Sequence, residues 1–425
     1  MRSIALRRHL AAVWIPFLVL SVLPGLGSTP AGSADGLEDP EQVAAIGRPT
    51  ALAFTAEGDL YAASQDGRLY LIPEGAPIGE GTGTPIVALN LSKKVCDVAP
   101  EQGLLGAAVD PAFTATTDRF VYLYYSAKKG RGCNETVNRV SRFEVRDDGT
   151  LDRGSESTLI DNIPTPAPNG NHNGGDLQFG ADGFLYVSVG DGACSIKDAT
   201  ACQYENNNAR MRNLLLGKIL RITKTGEIPP GNPHVGEGTA RCNVKGMTAN
   251  RKTWCSEIWA TGLRNPFRMA VDEDEAGTTL YINDVGGQLW EEIDEGIAGA
   301  DYGWNQCEGK QRAASRSQPC GDPRFEDPVF DYLHEDDPGE DELARRSITG
   351  GDFVPAGVWP DSFEGGYLFA DLGGGIYLLK PNGSAEMGTP EFTAKAPIHL
   401  VFEGDTLYYS DIGGGGIFRI QPTAS

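Results

Sequence analysis

One phrase recurs along the chain, and no other feature limits its fold as strongly. An apolar strand leads into a Gly/Asp turn, then a strand carrying Leu-Tyr or a close variant, a Gly-rich turn, and a third strand of alternating apolar residues. The phrase reads PTALAFTAEGDLYAASQDGRLYLI over 49–72, GLLGAAVDPAF through NRVSRFEV over 103–145, and GGDLQFGADGFLYVSVGDG through GKILRI over 174–222. It returns as PFRMAVDEDEAGTTLYINDVGG over 266–287, GGDFVP through GGYLFADLGGGIYLLK over 350–380, and IHLVFEGDTLYYSDIGGGGIFRI over 398–420. Each copy alternates in the manner of half-buried antiparallel strands, and a unit of this size buries its apolar faces only by stacking on its neighbours.

The last two Leu-Tyr positions, read as Phe369 and Tyr408, lie 39 residues apart, close to the ~40–45 residues of one four-stranded propeller blade. The words before each copy, such as LIDNIP, IWATGLRNP and AKAPI, supply a fourth strand, and EQVAAIGRP at 41–49 has the same shape. The expected fold is therefore all-β: a six-bladed β-propeller of four-stranded antiparallel blades. The N-terminal strand is expected to close the ring as the outer strand of the last blade, which removes exposed sheet edges. No copy has helical periodicity, which argues against an α-solenoid. A pair of β-sandwiches is the alternative architecture.

Upstream of the repeat, Arg2, Arg7 and Arg8 precede an apolar run from Leu10 to about Leu26 that Pro16 and Pro24 interrupt, and small residues follow to Ala34. That order reads as a signal peptide over 1–34, leaving one exported domain over 35–425 with no membrane segment. Its removal takes away three arginines and no acid, so the formal charge moves from -22 to about -25, a balance that argues against nucleic acid as a partner. All eight cysteines fall in the exported part and none forms C-x-x-C. Secretion or a periplasmic location then implies disulfides, with nearest-neighbour pairing expected: 96 with 133, 194 with 202, 242 with 255, and 307 with 320.

Fold alone does not name an activity, so function must be read from the loops that interrupt the repeat. Four stand out: EQGLLG (101–106), NHNGGD (171–176), GLRNPF (262–267) and NDVGGQLWEEIDEGIAGADYGWNQCEG (283–309). His172, between two asparagines and a double glycine, reads either as a polar turn or as a base on a loop, held by Asp191 nineteen residues on. No G-x-S-x-G, P-loop or dinucleotide fingerprint is present. HEDDPGEDELARR (334–346) lacks the spacing of a calcium loop and reads as a solvated charged segment, and Asn90, Asn134 and Asn382 begin N-x-S/T sequons.

Taken in order, E-Q-G-L-L-G, H-N-G-G with G-A-D-G-x-L-Y and G-D-G after it, G-K-x-L-R-I, G-x-R-N-P, D-V-G-G, E-E-I and D-Y-G-W resemble the soluble glucose/sorbosone dehydrogenase family, from about Arg48 to Gln421. The resemblance implies a propeller that uses pyrroloquinoline quinone (PQQ) and calcium to oxidise an aldose sugar at its anomeric carbon, by hydride transfer to the quinone and then to an unidentified electron acceptor. It implies that His172 takes the proton of the anomeric hydroxyl, a task suited to an imidazole whose ordinary pKa is ~6.5. By the same resemblance Asp191 orients that ring, and Asn171, His172 itself, Arg264, Asn265 and Lys395 lie beside the cofactor, Arg264 stabilising charge on a quinone oxygen. Glu101 or Gln102 would face the substrate, the backbone carbonyls of Gly286 and Gly287 would hold calcium, and Gly174 and Gly175 would let the backbone pass close to a flat cofactor.

Two departures from the family pattern matter. Where glucose dehydrogenases of this family grip the quinone's carboxylates with basic residues of the last two blades, FADLGGGI (369–376) and KAPIHLV (395–401) offer glycines and Lys395. Asp176 stands where the glucose enzymes have an arginine, so substrate choice does not transfer. The family also includes non-catalytic members, so a carbohydrate- or protein-binding propeller is the second reading. A calcium-dependent lactonase-type hydrolase is the third, and it would need carboxylates and asparagines converging on a central metal.

Overall fold

The computed structural model describes residues 36–423 apart from 77–83, 167–169, 243–246, 249, 273–277 and 336–345. The signal-like stretch 1–34 and most of the acidic 334–346 segment therefore lie outside the described residues. The described residues form six four-stranded antiparallel sheets, with three short two-stranded ladders in the inserts of blades 3 and 4. Blade 1 runs Pro49–Phe54, Leu60–Ser64, Arg68–Ile72 and Ile86–Asn90; blade 2 runs Leu104–Val109, Phe120–Gly130, Gly132–Glu144 and Ser157–Pro164. Blade 3 comprises Leu177–Phe179, Leu185–Val189, Lys218–Ile222 and Ile258–Thr261, and blade 4 Pro266–Asp272, Thr279–Asp284, Trp290–Glu295 and Phe330–Leu333. Blade 5 holds Ile348–Phe353, Tyr367–Asp371, Gly375–Leu379 and Phe392–Thr393. Blade 6 takes Pro397–Glu403, Thr406–Asp411 and Gly416–Ile420 from the C-terminus and Glu41–Ala45 from the other end of the chain, antiparallel to Gly416–Ile420 as expected.

The first strand of each blade packs against the first strand of the next, and that of blade 6 returns to blade 1. Each apolar core is filled from two adjacent sheets, which explains why the Leu-Tyr pair recurs. Successive residues of a strand face opposite sides of the sheet, so the pair gives one side chain to each flanking core. Leu60 enters the core shared with blade 6 and Tyr61 that shared with blade 2. Leu185 and Tyr186 divide in the same way between blades 2 and 4, and Leu280 and Tyr281 between blades 3 and 5. In blade 5 the sequence alignment slips by one residue. Leu368, and not Phe369, faces the following blade as Tyr408 does, which makes the spacing 40 positions, 368 to 408.

The four cystines are the nearest-neighbour pairs, and no cysteine is free. Two lie within the inserts that supply the site, 194–202 in blade 3 and 307–320 in blade 4. No helix among the described residues is long and apolar enough to cross a membrane.

Charged side chains cross the ring centre. Arg268 of blade 4 donates through Nη2 to the carbonyls of Thr50 (2.7 Å) and Leu105 (3.0 Å) in blades 1 and 2. Its Nη1 lies 3.9 Å from Asp176, which precedes the first strand of blade 3 and accepts the Met269 N–H at 2.8 Å. His399 of blade 6 accepts the Leu52 N–H on Nδ1 (2.9 Å), so its proton is on Nε2, 3.9 Å from Asp176. All three side chains are at most 2% exposed. Asp176 Oδ1, which faces both Arg268 and His399, has no hydrogen-bond partner of its own.

Candidate active site

The loops that begin the first strands and end the second strands of blades 2, 3 and 4 meet at one end of the ring. His172 has a left-handed backbone, φ 55°. Its N–H donates to Glu101 Oε2 (2.7 Å) and its carbonyl accepts the Gly192 N–H (3.2 Å), which clamps the loop from both sides. The ring Nδ1 sits 2.7 Å from Asp191 Oδ1. A carboxylate only accepts, so Nδ1 carries the proton and Nε2 is the ring's basic nitrogen. Asp191 is fully buried and also accepts the Ala193 N–H (2.7 Å) and Trp304 Nε1–H (2.8 Å). Burial pushes its carboxyl up, but His172 and Arg264 together hold it below the ordinary range.

Arg264 lies beside this pair, its carbonyl accepting the Asp191 N–H at 2.7 Å. Its guanidinium stacks 5.5 Å over Trp304 and donates to the Val285 carbonyl (2.9 Å) and Gln203 Oε1 (3.2 Å). Arg264 Nε and Asn171 Oδ1 are buried without a hydrogen-bond partner. Asn265 ties three segments together: Oδ1 accepts the Gly174 N–H (3.0 Å), Nδ2 donates to Glu101 Oε2 (3.3 Å), and its backbone N–H donates to Asp284 Oδ1 (2.6 Å).

The structure separates residues that the sequence left together. Glu101 joins His172 and Asn265, whereas the Gln102 amide turns away to Thr136 of blade 2 (3.0 Å). Lys395 is exposed on the rim between blades 5 and 6; its backbone N–H holds Asp411 (2.8 Å), and it enters none of the site's hydrogen bonds. The glycines Gly174 and Gly175 have a reason within the protein itself. A Cβ on Gly175, at φ 112°, would lie 2.9 Å from Leu105 Cβ and the Tyr124 ring.

Several members of the site were not singled out from sequence. Trp304 reaches Asp191 across 113 residues. Glu308 gathers the loop after Asp284: one oxygen accepts the N–H groups of Gly287, Gln288, Leu289 and Trp290, and the other accepts the Tyr204 hydroxyl. Behind Arg264, Asp284 accepts the Arg264 N–H (2.8 Å) and packs with Glu292 and Asp294, ligand atoms of all three lying within 4.8 Å of one another. Burial pushes Asp284 up to about 7, and burial with repulsion from the neighbouring acids holds Glu292 and Asp294 well above the ordinary carboxylate range. Neither Asp294 oxygen has a hydrogen-bond partner. Three clustered buried acids, one of them with both acceptors unmet, suit a divalent cation with oxygen preference. The signal was the alternation in EEID, which puts Glu292 and Asp294 on one sheet face, with Asp284 the cross-strand partner of Glu292. No such group surrounds Asp176 among the described residues.

Beside the loop, a polar hollow of about 300 Å³ is lined by Gln288, Arg316, Leu333, His334 and Glu335. The neighbouring rim is open, while His172 and Arg264 are only 7% and 5% exposed.

Known proteins resemble this chain in sequence and in fold. A family model described as Glucose / Sorbosone dehydrogenase matches residues 46–340. The HIPL2 protein of Arabidopsis thaliana is 29% identical over 364 residues, covering 73% of this chain and 48% of the relative. Aldose sugar dehydrogenase YliI of Escherichia coli is 30% identical over 205 residues, 48% of this chain and 46% of the relative. The chain spans between 29% and 57% of the length of the first curated relatives it matches. The PQQ-bound form of aldose sugar dehydrogenase from Streptomyces coelicolor superposes with a TM-score of 0.64 at 23% identity, over 93% of this chain and 99% of that one, a likeness of fold.

Proposed function

Because the chain belongs to the glucose/sorbosone dehydrogenase family, we propose that it is a PQQ- and calcium-dependent sugar dehydrogenase acting on the anomeric carbon of an aldose. The observation that carries this reading is the buried His172–Asp191 couple, 2.7 Å apart, beside the Arg264 guanidinium. In the reaction the sugar gives up a hydride from its anomeric carbon and a proton from its anomeric hydroxyl, and leaves as a lactone. The quinone, when bound, supplies the two-electron acceptor for that hydride.

The chain's own groups do the rest. Nε2 of His172 takes the hydroxyl proton, and Asp191 keeps the ring in the tautomer that can do so and stabilises the imidazolium that results. Trp304 and the Ala193 N–H hold Asp191 in place. Arg264 has an unmet Nε–H and Asn171 an unmet Oδ1, a donor and an acceptor that fit a ligand bearing carboxylates and ring N–H groups. The guanidinium, fixed by Val285 and Gln203, is placed to steady negative charge on an oxygen beside it. The carbonyls of Gly286 and Gly287 would hold calcium next to the quinone, and Asp284, Glu292 and Asp294 suit a second cation. Four cystines and the signal-like N-terminus support a secreted or periplasmic enzyme.

The test is to incubate the purified full chain with PQQ and calcium, look for the absorbance of bound quinone, and follow its reduction on adding an aldose. A bound quinone that glucose or another aldose reduces is the expected result. Lys395, exposed and outside the hydrogen bonds around His172, favours the second reading, a binding propeller without catalysis. Failure to take up quinone at any calcium concentration would select it.

A further inference from the structure

We infer that Glu308 is a positioning residue that turns the carbonyls of Gly286 and Gly287 outward to receive a cation; this rests on the proposed calcium at those carbonyls. Glu308 is 2% exposed. Its Oε1 accepts four consecutive backbone N–H groups, from Gly287 (2.9 Å), Gln288 (2.9 Å), Leu289 (2.8 Å) and Trp290 (3.0 Å). In a trans peptide the N–H of one residue and the C=O of the residue before it point in opposite directions. Four N–H groups drawn to one oxygen therefore send the carbonyls of Gly286, Gly287, Gln288 and Leu289 to the other side of the loop.

The Leu289 carbonyl shows the result, since it accepts the His334 N–H at 2.9 Å on the side away from the carboxylate. Among the described residues no donor takes the carbonyls of Gly286 or Gly287. The turn that brings the N–H groups together also needs glycine at 286, where a Cβ would lie 1.5 Å from the Trp290 carbonyl oxygen. Glu308 Oε2 accepts the Tyr204 hydroxyl (2.7 Å), and Tyr204 packs 5.4 Å from Trp304, the partner of Asp191. One carboxylate thus joins the cation loop to the wall of the proton-transfer couple.

The experiment titrates calcium into the full chain with PQQ present and reads quinone loading by absorbance, and separately records the unfolding midpoint in EDTA. Glu308→Ala should raise the calcium concentration needed for loading by roughly 10- to 100-fold, the usual effect of removing a group that orients metal ligands. Glu308→Gln keeps an acceptor oxygen without its charge and should give a smaller shift, with the midpoint in EDTA close to that of the unmodified chain. It also decides the matter should the alanine variant fail to fold. Loading of both variants at the unmodified calcium concentration overturns the inference alone. Absence of loading by the unmodified chain overturns the reading of the site, and the inference with it.

Discussion

His172 holds a left-handed backbone that costs a non-glycine residue about 1–2 kcal/mol, and the strain is tolerated because Glu101 and Gly192 fix the peptide on both sides. A solvent-facing turn histidine would need none of this, nor a fully buried carboxylate on its ring. In protein loaded with PQQ and calcium, His172→Asn should therefore slow single-turnover reduction of the quinone by an aldose by roughly 10²–10⁴. Quinone binding should barely change, because the imidazole is assigned to the sugar's proton. Arg264→Ala should weaken both, since its guanidinium is assigned to the cofactor. Stopped-flow absorbance separates the two effects, and an undiminished rate in His172→Asn would return the residue to a polar turn.

Among the elements, the second and third strands of blade 4 bring three acids, Asp284, Glu292 and Asp294, onto one buried face. Without a cation these carboxyls repel one another, so Asp294→Asn should raise the unfolding midpoint measured in EDTA. With calcium the order should reverse: the unmodified chain gains stability by linkage to the ion, and the variant gains much less. Equal calcium-induced stabilisation of the two chains would mean that these carboxyls hold no ion, leaving the carbonyls of Gly286 and Gly287 as the only proposed site. The strand Glu41–Ala45 makes a different prediction. It covers the edge of Gly416–Ile420 and, with Ile46, adds Val43 and Ala44 to the core between blades 6 and 1. Deleting 41–46 should lower the midpoint and promote association through the exposed edge, as sedimentation would show. An unchanged midpoint would mean that the ring does not depend on this closure.

These strands were legible because their pattern is local: period-two alternation and one Leu-Tyr pair per sheet reflect two cores per blade. The His172 and Arg264 loops were legible because glycines and asparagines interrupt that pattern. What escaped was held by contacts across blades. Trp304 reads as part of a Gly-Trp turn until its indole meets Asp191, and Glu308 as one more acid in an insert until four N–H groups converge on it. Lys395 has no such contacts: its side chain is exposed, and the hydrogen bonds around His172 do not include it.

On the scale of the whole molecule, the same limit applies to the ring centre, where Arg268, Asp176 and His399 come from three blades and reach the backbone of two more. Burial raises the Asp176 carboxyl and Arg268 opposes that shift, so the guanidinium is what makes the acid tolerable there. Arg268→Met should thus destabilise the protein by about 3–5 kcal/mol, the cost of leaving a buried charge unpaired. It also frees the Thr50 and Leu105 carbonyls, a smaller loss. Arg268→Met with Asp176→Asn should recover most of the stability, because the asparagine keeps an acceptor for the Met269 N–H and removes the stranded charge. Denaturant unfolding of both variants decides the point. Equal destabilisation in the single and double variants would mean that Arg268 acts through its carbonyl contacts, and that the charge at the ring centre is not what binds the blades.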